Sequence, residues 1–342
     1  MTSLSPAAEF GLLARFLLQA RGNALDAAMF AENAPVSTRR VAAILRAAIA
    51  SGSTSDPSWA GALVDYQHVS EGFVEALRSR SAFIRMLSDG MKRSPLRTRL
   101  AVVTSTLIGS IVGEGKLKPV SSIALAGGQL EPIKAVATVV LNGELVMSAS
   151  VAAISLISNE LRGGVASAID GAFFGEIIDG STPAVASGGV TAALISVDLR
   201  KLLATVNTTG AGRLFFASGA GVANGVSTTV GTDGLLAFPT VTPMGGELLG
   251  VPYLVTDGIE DGSLVLVDVT GIVGDIDVIT LNASTEATVQ MDSAPADPPN
   301  AAAVMTSLFQ TDRRAMKAEA HFGVERVRTS AVAVLNGLTW VP

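Results

Sequence analysis

The sequence predicts an α+β protein, and three observations carry that expectation. Residues 1–50 place apolar side chains at helical spacing, and residues 101–141 switch to a period of two rich in β-branched residues. From about Ser150 to Ile178 a spacing of three and four resumes, followed by short strand-like runs divided by glycines. The length of 342 residues suggests two domains at about 150 residues each. Apolar residues make up 49% and charged residues 16%, against about 25% charge in typical soluble proteins. A chain this apolar can bury enough surface to offset its ordering entropy, which excludes disorder.

At the N-terminus, Ser5-Pro6 reads as a helix cap followed by proline at the first helical position. Phe10, Leu12, Leu13, Phe16 and Leu17 follow at helical spacing until Gly22, and Pro35 breaks the next segment. Ser37 or Thr38 then caps a helix through Val41, Ile44, Leu45 and Ile49. SGSTSDPS (51–58) reads as a linker. AVVTSTLIGSIV and IALAGGQLEPIKAVATVVL bracket a tip rich in Gly, Lys and Pro, which predicts a long hairpin projecting from the body. Ile154, Ile157, Leu161, Val165, Ile169, Phe173 and Ile177 predict one helix of roughly 28 residues, about 42 Å long, with Gly163 and Gly164 leaving room for close packing.

A helix around Ser196 to Val206 is expected next, then strands at GRLFFAS, GVPYLVTD, SLVLVDV and IDVITL. APADPPNAA (294–302) reads as another linker. In the last segment Met316, Ala318, Ala320, Phe322 and Val324 alternate with Lys317, Glu319, His321 and Glu325. That pattern predicts a long strand, followed by AVAVL and a turn at Asn336-Gly337.

Charge divides the chain. Residues 1–100 carry a net +4, residues 101–213 a net −1, and residues 312–342 a net +2. Between them, residues 214–311 hold 11 acidic side chains and no Lys or Arg, which marks a structural unit of its own. The basic pole is Arg78, Arg80, Arg85, Lys92, Arg93, Arg97 and Arg99, with Asp89 as the only acid among them. Such a cluster suits either non-specific contact with phosphates or the pairing of subunits. No Tyr or Trp is interleaved to stack on bases, which argues against a sequence reader.

Chemistry finds little equipment. With no Cys, disulfide scaffolds, zinc fingers and thiol catalysis are excluded, and only His68 and His321 offer imidazole. His321 lies on the polar side of a predicted strand, and His68 sits among ordinary core anchors. IVGEGKLK (111–118) lacks the spacing of a phosphate loop, and GAGVANG (219–225) has one residue too many for a dinucleotide fingerprint. DGIEDG (257–262) lacks the alternating oxygen ligands of a calcium loop and reads as an exposed turn. No G-x-S-x-G elbow is present. The expectation is a protein that is not an enzyme and binds no cofactor or metal. Ala135 to Ile157 is interrupted by Asn142, Gly143 and Glu144, so no membrane span is expected. Met1 to Glu9 lacks the basic residues of a signal peptide, and a soluble intracellular protein is expected.

The order of these parts resembles the major capsid proteins of tailed bacteriophages, with the Hong Kong 97-type fold. DPSWAGALVDYQ (56–67) and FVEALRSRSAFIRML (73–87) resemble the N-terminal arm. VGEGKLKPVSS (112–122) resembles the tip of the extended loop, where Glu114, Lys116 and Lys118 lie, and EPIKAVATVVLNGELV (131–146) its return. GGELLGVPYLVTDGI (245–259) is similar to a strand segment of the axial domain. VQMDSAPADPP (289–299) and residues 307–340 are similar to the return to the peripheral domain. The resemblance implies a scaffold-like helical segment at 1–50, a linker and arm at 51–100, and the extended loop at 101–145. It further implies a spine helix within the peripheral domain at 146–187, an axial domain at 188–300, and the returning peripheral segment at 301–342.

The function implied is self-assembly through pentamers and hexamers into an icosahedral shell around double-stranded DNA, in the virion, after assembly in the bacterial cytoplasm. Portal, prohead protease and decoration proteins are the implied partners. Some relatives crosslink a loop Lys to a neighbour's Asn, but no matching pattern surrounds Lys116 or Lys118, and crosslinking is not expected. An encapsulin-type compartment holding a cargo enzyme is the alternative. A mixed α/β enzyme and a surface adhesin are further classes, disfavoured by the lack of a catalytic constellation and of a secretion signal.

Overall fold

The computed structural model describes residues 6–21, 23–34, 38, 41–42, 45, 77, 81–103, 111–112, 114, 125–148, 151–206, 210, 212–277, 279–298, 300 and 303–338. The chain divides into two compact units. One comprises residues 1–80, 134–166 and 278–320, the other residues 81–133, 167–277 and 321–342. The linker expected at 51–58 lies outside the described residues.

In the first unit, α1 (Pro6–Gln19) buries Leu13, Phe16 and Leu18. Helix α2 (Ala24–Glu32) is capped by Asn23, whose Oδ1 accepts from the Leu25 amide at 3.0 Å. The Arg314 guanidinium donates to the Leu18 carbonyl, which also accepts from the Arg21 amide at 3.3 Å, and to the Gln19 carbonyl at 3.3 Å, at the C-terminal end of α1. Val41 and Leu45, predicted as apolar helix positions, are buried.

Strand β4 (Ile133–Asn142) leads into α4 (Gly143–Ser148) and the first part of α5 (Val151–Ile177). The long helix therefore lies within a residue of its predicted ends. Its glycines do admit close packing, since a Cβ on Gly164 would stand 3.2 Å from that of Ala137 in β4. Strand β12 (Thr280–Ser284) runs antiparallel to residues 315–319 of β15 (Arg313–Arg326), with Thr280 opposite Glu319.

Strands β13 (Thr288–Gln290) and β14 (Met305–Ser307) pair with each other. The 294–302 segment is thus the loop of a hairpin rather than a linker. Three prolines and small residues suit either role by composition, and only the pairing of the flanks distinguishes them.

The second unit is built on a seven-stranded sheet. Its strands are β5 (Ala184–Ala186), β6 (Leu214–Ser218), β7 (Val241–Thr242), β8 (Gly245–Leu248), β9 (Val251–Val255), β10 (Leu264–Asp268) and β16 (Val332–Asn336). They lie in the order β5-β16-β10-β6-β9-β8-β7. Leu264, Val265, Leu266 and Val267 of central β10 are all fully buried, which is why SLVLVDV reads as one apolar run instead of alternating. Each such side chain contributes about 1.5–3 kcal/mol on burial.

Helix α6 (Ala192–Val206) and helix α7 (Ala220–Thr228) cover one face. Ile195, Leu199 and Leu202 of α6 and Val222 and Val226 of α7 pack with Phe216, Tyr253, Leu264 and Leu266. Helix α7 departs from expectation. It contains two glycines after a third at its N-cap, a composition that reads as a connection, yet Val222, Ala223 and Val226 supply a buried helical stripe.

The same unit holds β1 (Lys92–Arg93) parallel to β11 (Ile272–Ile276), which runs antiparallel to residues 322–326 of β15. IDVITL was expected as one strand. It falls instead across the gap between β11 and β12, with the Asp277 amide still donating to the β15 carbonyl of His321 at 2.7 Å and β12 starting at Thr280. Helix α3 (Ala82–Ser88) lies inside the segment read as an arm, and buries Phe83, Ile84, Met86 and Leu87.

Strands β2 (Arg99–Val103) and β3 (Leu125–Gln129) form the base of the predicted hairpin, with Arg99 opposite Gln129 and Val103 opposite Leu125. The return run is two strands, not one. Glu131-Pro132 divides β3 from β4, since proline has no amide to continue a ladder. Among the described residues, no helix is long and apolar enough to cross a membrane.

Candidate functional site

The basic cluster rests on a buried anchor. Ser81 caps α3, its Oγ accepting from the Ile84 amide at 3.3 Å and donating to Asp170 Oδ1 at 2.6 Å. The first helical amides, Ala82 and Phe83, donate to the same carboxylate at 2.8 and 3.1 Å, and the Thr256 hydroxyl donates at 2.7 Å. Asp170 is 1% exposed and belongs to the second part of α5. Burial pushes its carboxyl pKa up, against four hydrogen bonds that favour the ionised form. Beneath α3, Phe83 packs its ring 5.0 Å from Phe173 and 5.3 Å from Phe322. Four segments distant in sequence converge here: 81–83, 170–173, 256 and 322.

The outer side of this anchor carries the cations. Arg85, Lys92, Arg93, Arg97 and Arg99 are all exposed, and none is ion-paired among the described residues. They do not share one face, because Lys92 and Arg93 alternate on the two sides of a strand. Arg78, Arg80, Lys116 and Lys118 lie outside the described residues. Glu114, in the expected loop tip, is exposed. Arg213 joins the described cations, its side chain lying across Gly90, where a Cβ would stand 2.8 Å from Arg213 Cδ and φ is +125°. Sequence reasoning missed it. Its only signal was its place as the last base before the acidic stretch.

The hairpin base lies on the sheet over a glycine. A Cβ on Gly323 would meet Leu96 Cδ2 at 2.8 Å and both Leu130 Cγ and the Glu131 carbonyl at 2.9 Å. Beside it Glu325 lies under Gly128 of β3, and burial first, then the charge of Glu176, push its carboxyl pKa up. Next to this base an open pocket of about 510 Å³ is bordered by Arg97, Asp275, Asp277 and His321. It has no nucleophile aligned with the imidazole. Among the described residues no group of His, Asp and Glu could hold a metal.

Two further anchors organise the second unit. Asp268 accepts from the Arg213 amide at 3.0 Å, from the Thr270 amide and hydroxyl at 3.1 and 2.7 Å, and from Arg328. Burial raises its pKa, but the Thr270 hydroxyl, Arg328 and the two amides outweigh this and hold it low. Arg326, with a nearly buried side chain, reaches Asp179 and Ser181 Oγ at 2.7 Å and Thr182 Oγ1 at 2.6 Å. Hydrogen bonds from the Ser181 hydroxyl and amide, then from Arg326, bring the Asp179 pKa down to about 2. In the first unit Glu319 accepts from Lys134 at 2.7 Å and Lys317 at 2.9 Å, and both bonds lower its pKa. Each of these carboxylates has the partners of a structural tie. The described arrangement is one of exposed cations and a glycine-seated hairpin on a rigid body, which suits contacts between proteins.

Known proteins match this description. A capsid polyprotein of Pseudomonas phage PAJU2 is 32% identical over 321 residues, covering 87% of this chain and 48% of the relative. The chain spans about half the length of that curated relative. A chain from the solved structure of Mycobacterium phage Ogopogo is similar in fold with a TM-score of 0.53 at 16% identity, covering 76% of this chain and 91% of its own. One from Gordonia phage Cozz gives 0.52, also at 16% identity, covering 72% and 84%. Residues 61–337 match the phage capsid family, and the chain belongs to that family.

Proposed function

We propose that the chain is a shell-forming capsid subunit that assembles through pentamers and hexamers into an icosahedral head around double-stranded DNA. Its family membership, across residues 61–337, is the observation that carries this reading. On a Hong Kong 97-type plan, α5 is the spine helix, β2 and β3 form the base of the extended loop, and strands β6 to β10 of the seven-stranded sheet belong to the axial domain at 188–300. Residues 1–50 are a scaffold-like segment, 51–100 the linker and arm, and 301–342 the return to the peripheral domain. Portal, prohead protease, decoration proteins and packaged DNA are the partners of such a subunit. The exposed cations between Arg85 and Arg99 pair with acidic surface on a neighbouring subunit. An acidic chain without stacking aromatics near the cluster supports that choice over base recognition.

Negative-stain microscopy of the purified chain, beside a chain starting at Ser55, tests the reading. Closed shells or uniform five- and six-membered rings are expected. A monomer in both samples across salt and concentration would overturn it. Charge reversal by Arg93→Glu with Arg97→Glu is expected to lower shell yield with an unchanged unfolding midpoint. Salt near 1 M, where the Debye length is about 3 Å, is expected to reduce the difference. Equal yields at low salt would refute the role given to these cations.

A further inference from the structure

Helix α6 carries two apolar stripes. Ile195, Leu199, Leu202 and Val206 recur at spacings of four and three and are buried against the sheet. A surface helix anchored this way ordinarily turns a polar face outward. Here Leu194 and Val197 are each 39% exposed on the outer side, and Val190 just before the helix is 54% exposed. Arg200 and Lys201, both exposed, follow on the next turn. Lys201 is tied to Asp198 at 3.3 Å, which leaves Arg200 as the outward cation without an ion pair among the described residues.

The other end of the same sheet has a matching surface. Leu235 and Leu236 are 68% and 51% exposed, and Met244, in the β7–β8 turn, is 90% exposed. Leu249, between β8 and β9, is also exposed. Asp233, two residues before Leu235, and Glu247, in β8, are exposed as well. No Lys or Arg occurs anywhere between Arg213 and Arg313, so the residues that form this edge contribute acids and no cations. Helix α6 packs over β5, β16 and β10, whereas β7 and β8 close the opposite end of the strand order.

Single exposed apolar residues need no explanation, but two clusters of opposite charge at opposite ends of one sheet do. Pairing α6 with a second α6 would set cation against cation, and pairing two β7–β8 edges would set acid against acid. Only the α6 face against the β7–β8 edge joins apolar to apolar and cation to acid. We propose that copies of this chain associate head to tail, the outer face of α6 on one copy seated on the β7–β8 edge of the next. Such a heterologous contact generates rings when its rotation closes. The proposal rests on the shell-subunit reading and specifies which surfaces meet within a capsomer.

Two variants test it: Leu194→Asp with Val197→Asp, which spoils the helix face, and Leu235→Asp with Leu236→Asp, which spoils the edge. All four positions are exposed, and circular dichroism and the unfolding midpoint check that each variant folds. If one does not, serine at the same positions replaces aspartate. Size-exclusion chromatography with light scattering and electron microscopy then report assembly. Each variant alone is expected to remain monomeric. An equimolar mixture is expected to stop at one-to-one dimers, because each pair retains one intact helix face and one intact edge. Variants that form shells as the unsubstituted chain does would refute this interface and leave the shell reading standing. Dimers of either variant by itself would show a face pairing with its own kind, and would also refute it. An unsubstituted chain that stays monomeric would remove both the interface and the shell reading.

Discussion

Removing the Asp170 carboxylate tests whether the buried tie described above holds the second unit together. In Asp170→Ala four donors lose their acceptor: the Ala82 and Phe83 amides and the Ser81 and Thr256 hydroxyls. The hydroxyls can rotate toward other acceptors, whereas the amides at the start of α3 cannot. Each orphaned buried amide costs about 1–3 kcal/mol. The two amides together give an expected loss of about 2–6 kcal/mol. For a body of 150–250 residues that corresponds to a fall in Tm of roughly 10 °C. Asp170→Asn keeps the shape and one acceptor oxygen. Oδ1 serves Ser81 and Phe83 while Oδ2 serves Ala82 and Thr256, so either amide orientation leaves two donors facing an NH₂ group. About half the loss is expected. Equilibrium urea unfolding of the dissociated subunit gives both values. An alanine variant losing less than about 1 kcal/mol, or an asparagine variant no better than alanine, would refute the argument.

Other perturbations follow from the same geometry. Gly323→Ala is expected to destabilise by about 1–3 kcal/mol, because the new methyl meets the Glu131 carbonyl as well as two leucines. Hydrogen exchange should quicken at Leu130 and Arg97, whose amides bond to the Thr98 and Leu130 carbonyls, and unchanged exchange would count against the close seating of the hairpin. Phe83→Ala is expected to cost about 3–5 kcal/mol through the cavity left between Phe173 and Phe322. For Asp179, a folded pKa of about 2 lies below the unfolded value of about 3.9. Its stabilisation is complete above the unfolded value and is lost as pH falls through about 2. The stability difference between the unsubstituted chain and Asp179→Asn should shrink over that interval, and a constant difference would contradict the assignment.

What could be read without coordinates was whatever a local pattern specifies. The long helix appeared from seven apolar positions, and β15 from its alternation, since Met316, Ala318, Ala320, Phe322 and Val324 are all buried. SLVLVDV marked β10 as a strand, while the burial of Leu264 to Val267 on both faces emerged from the fold. Short elements were less legible: α3 has seven residues and α7 has two glycines, and packing against the body defines both. The hairpin loop at 294–302 looked like a linker because its identity lies in the strands it joins. The Asp170 tie was invisible for the same reason. One of three acids in a largely apolar helix, Asp170 gives no hint of a serine 89 positions earlier or a threonine 86 later. The basic cluster was plain in composition, but its split orientation and the addition of Arg213 required the fold.

The same tie bears on how the chain reaches its native state. Its four bonds span 86 to 89 residues each, and closing a flexible loop of about that length costs roughly 4 kcal/mol of entropy. Three of the bonds, from residues 81–83, close one loop and share its cost, whereas the Thr256 bond closes a second loop at a similar cost. Neither closure is repaid until its bonds are made, so the centre is expected to form after the local helices.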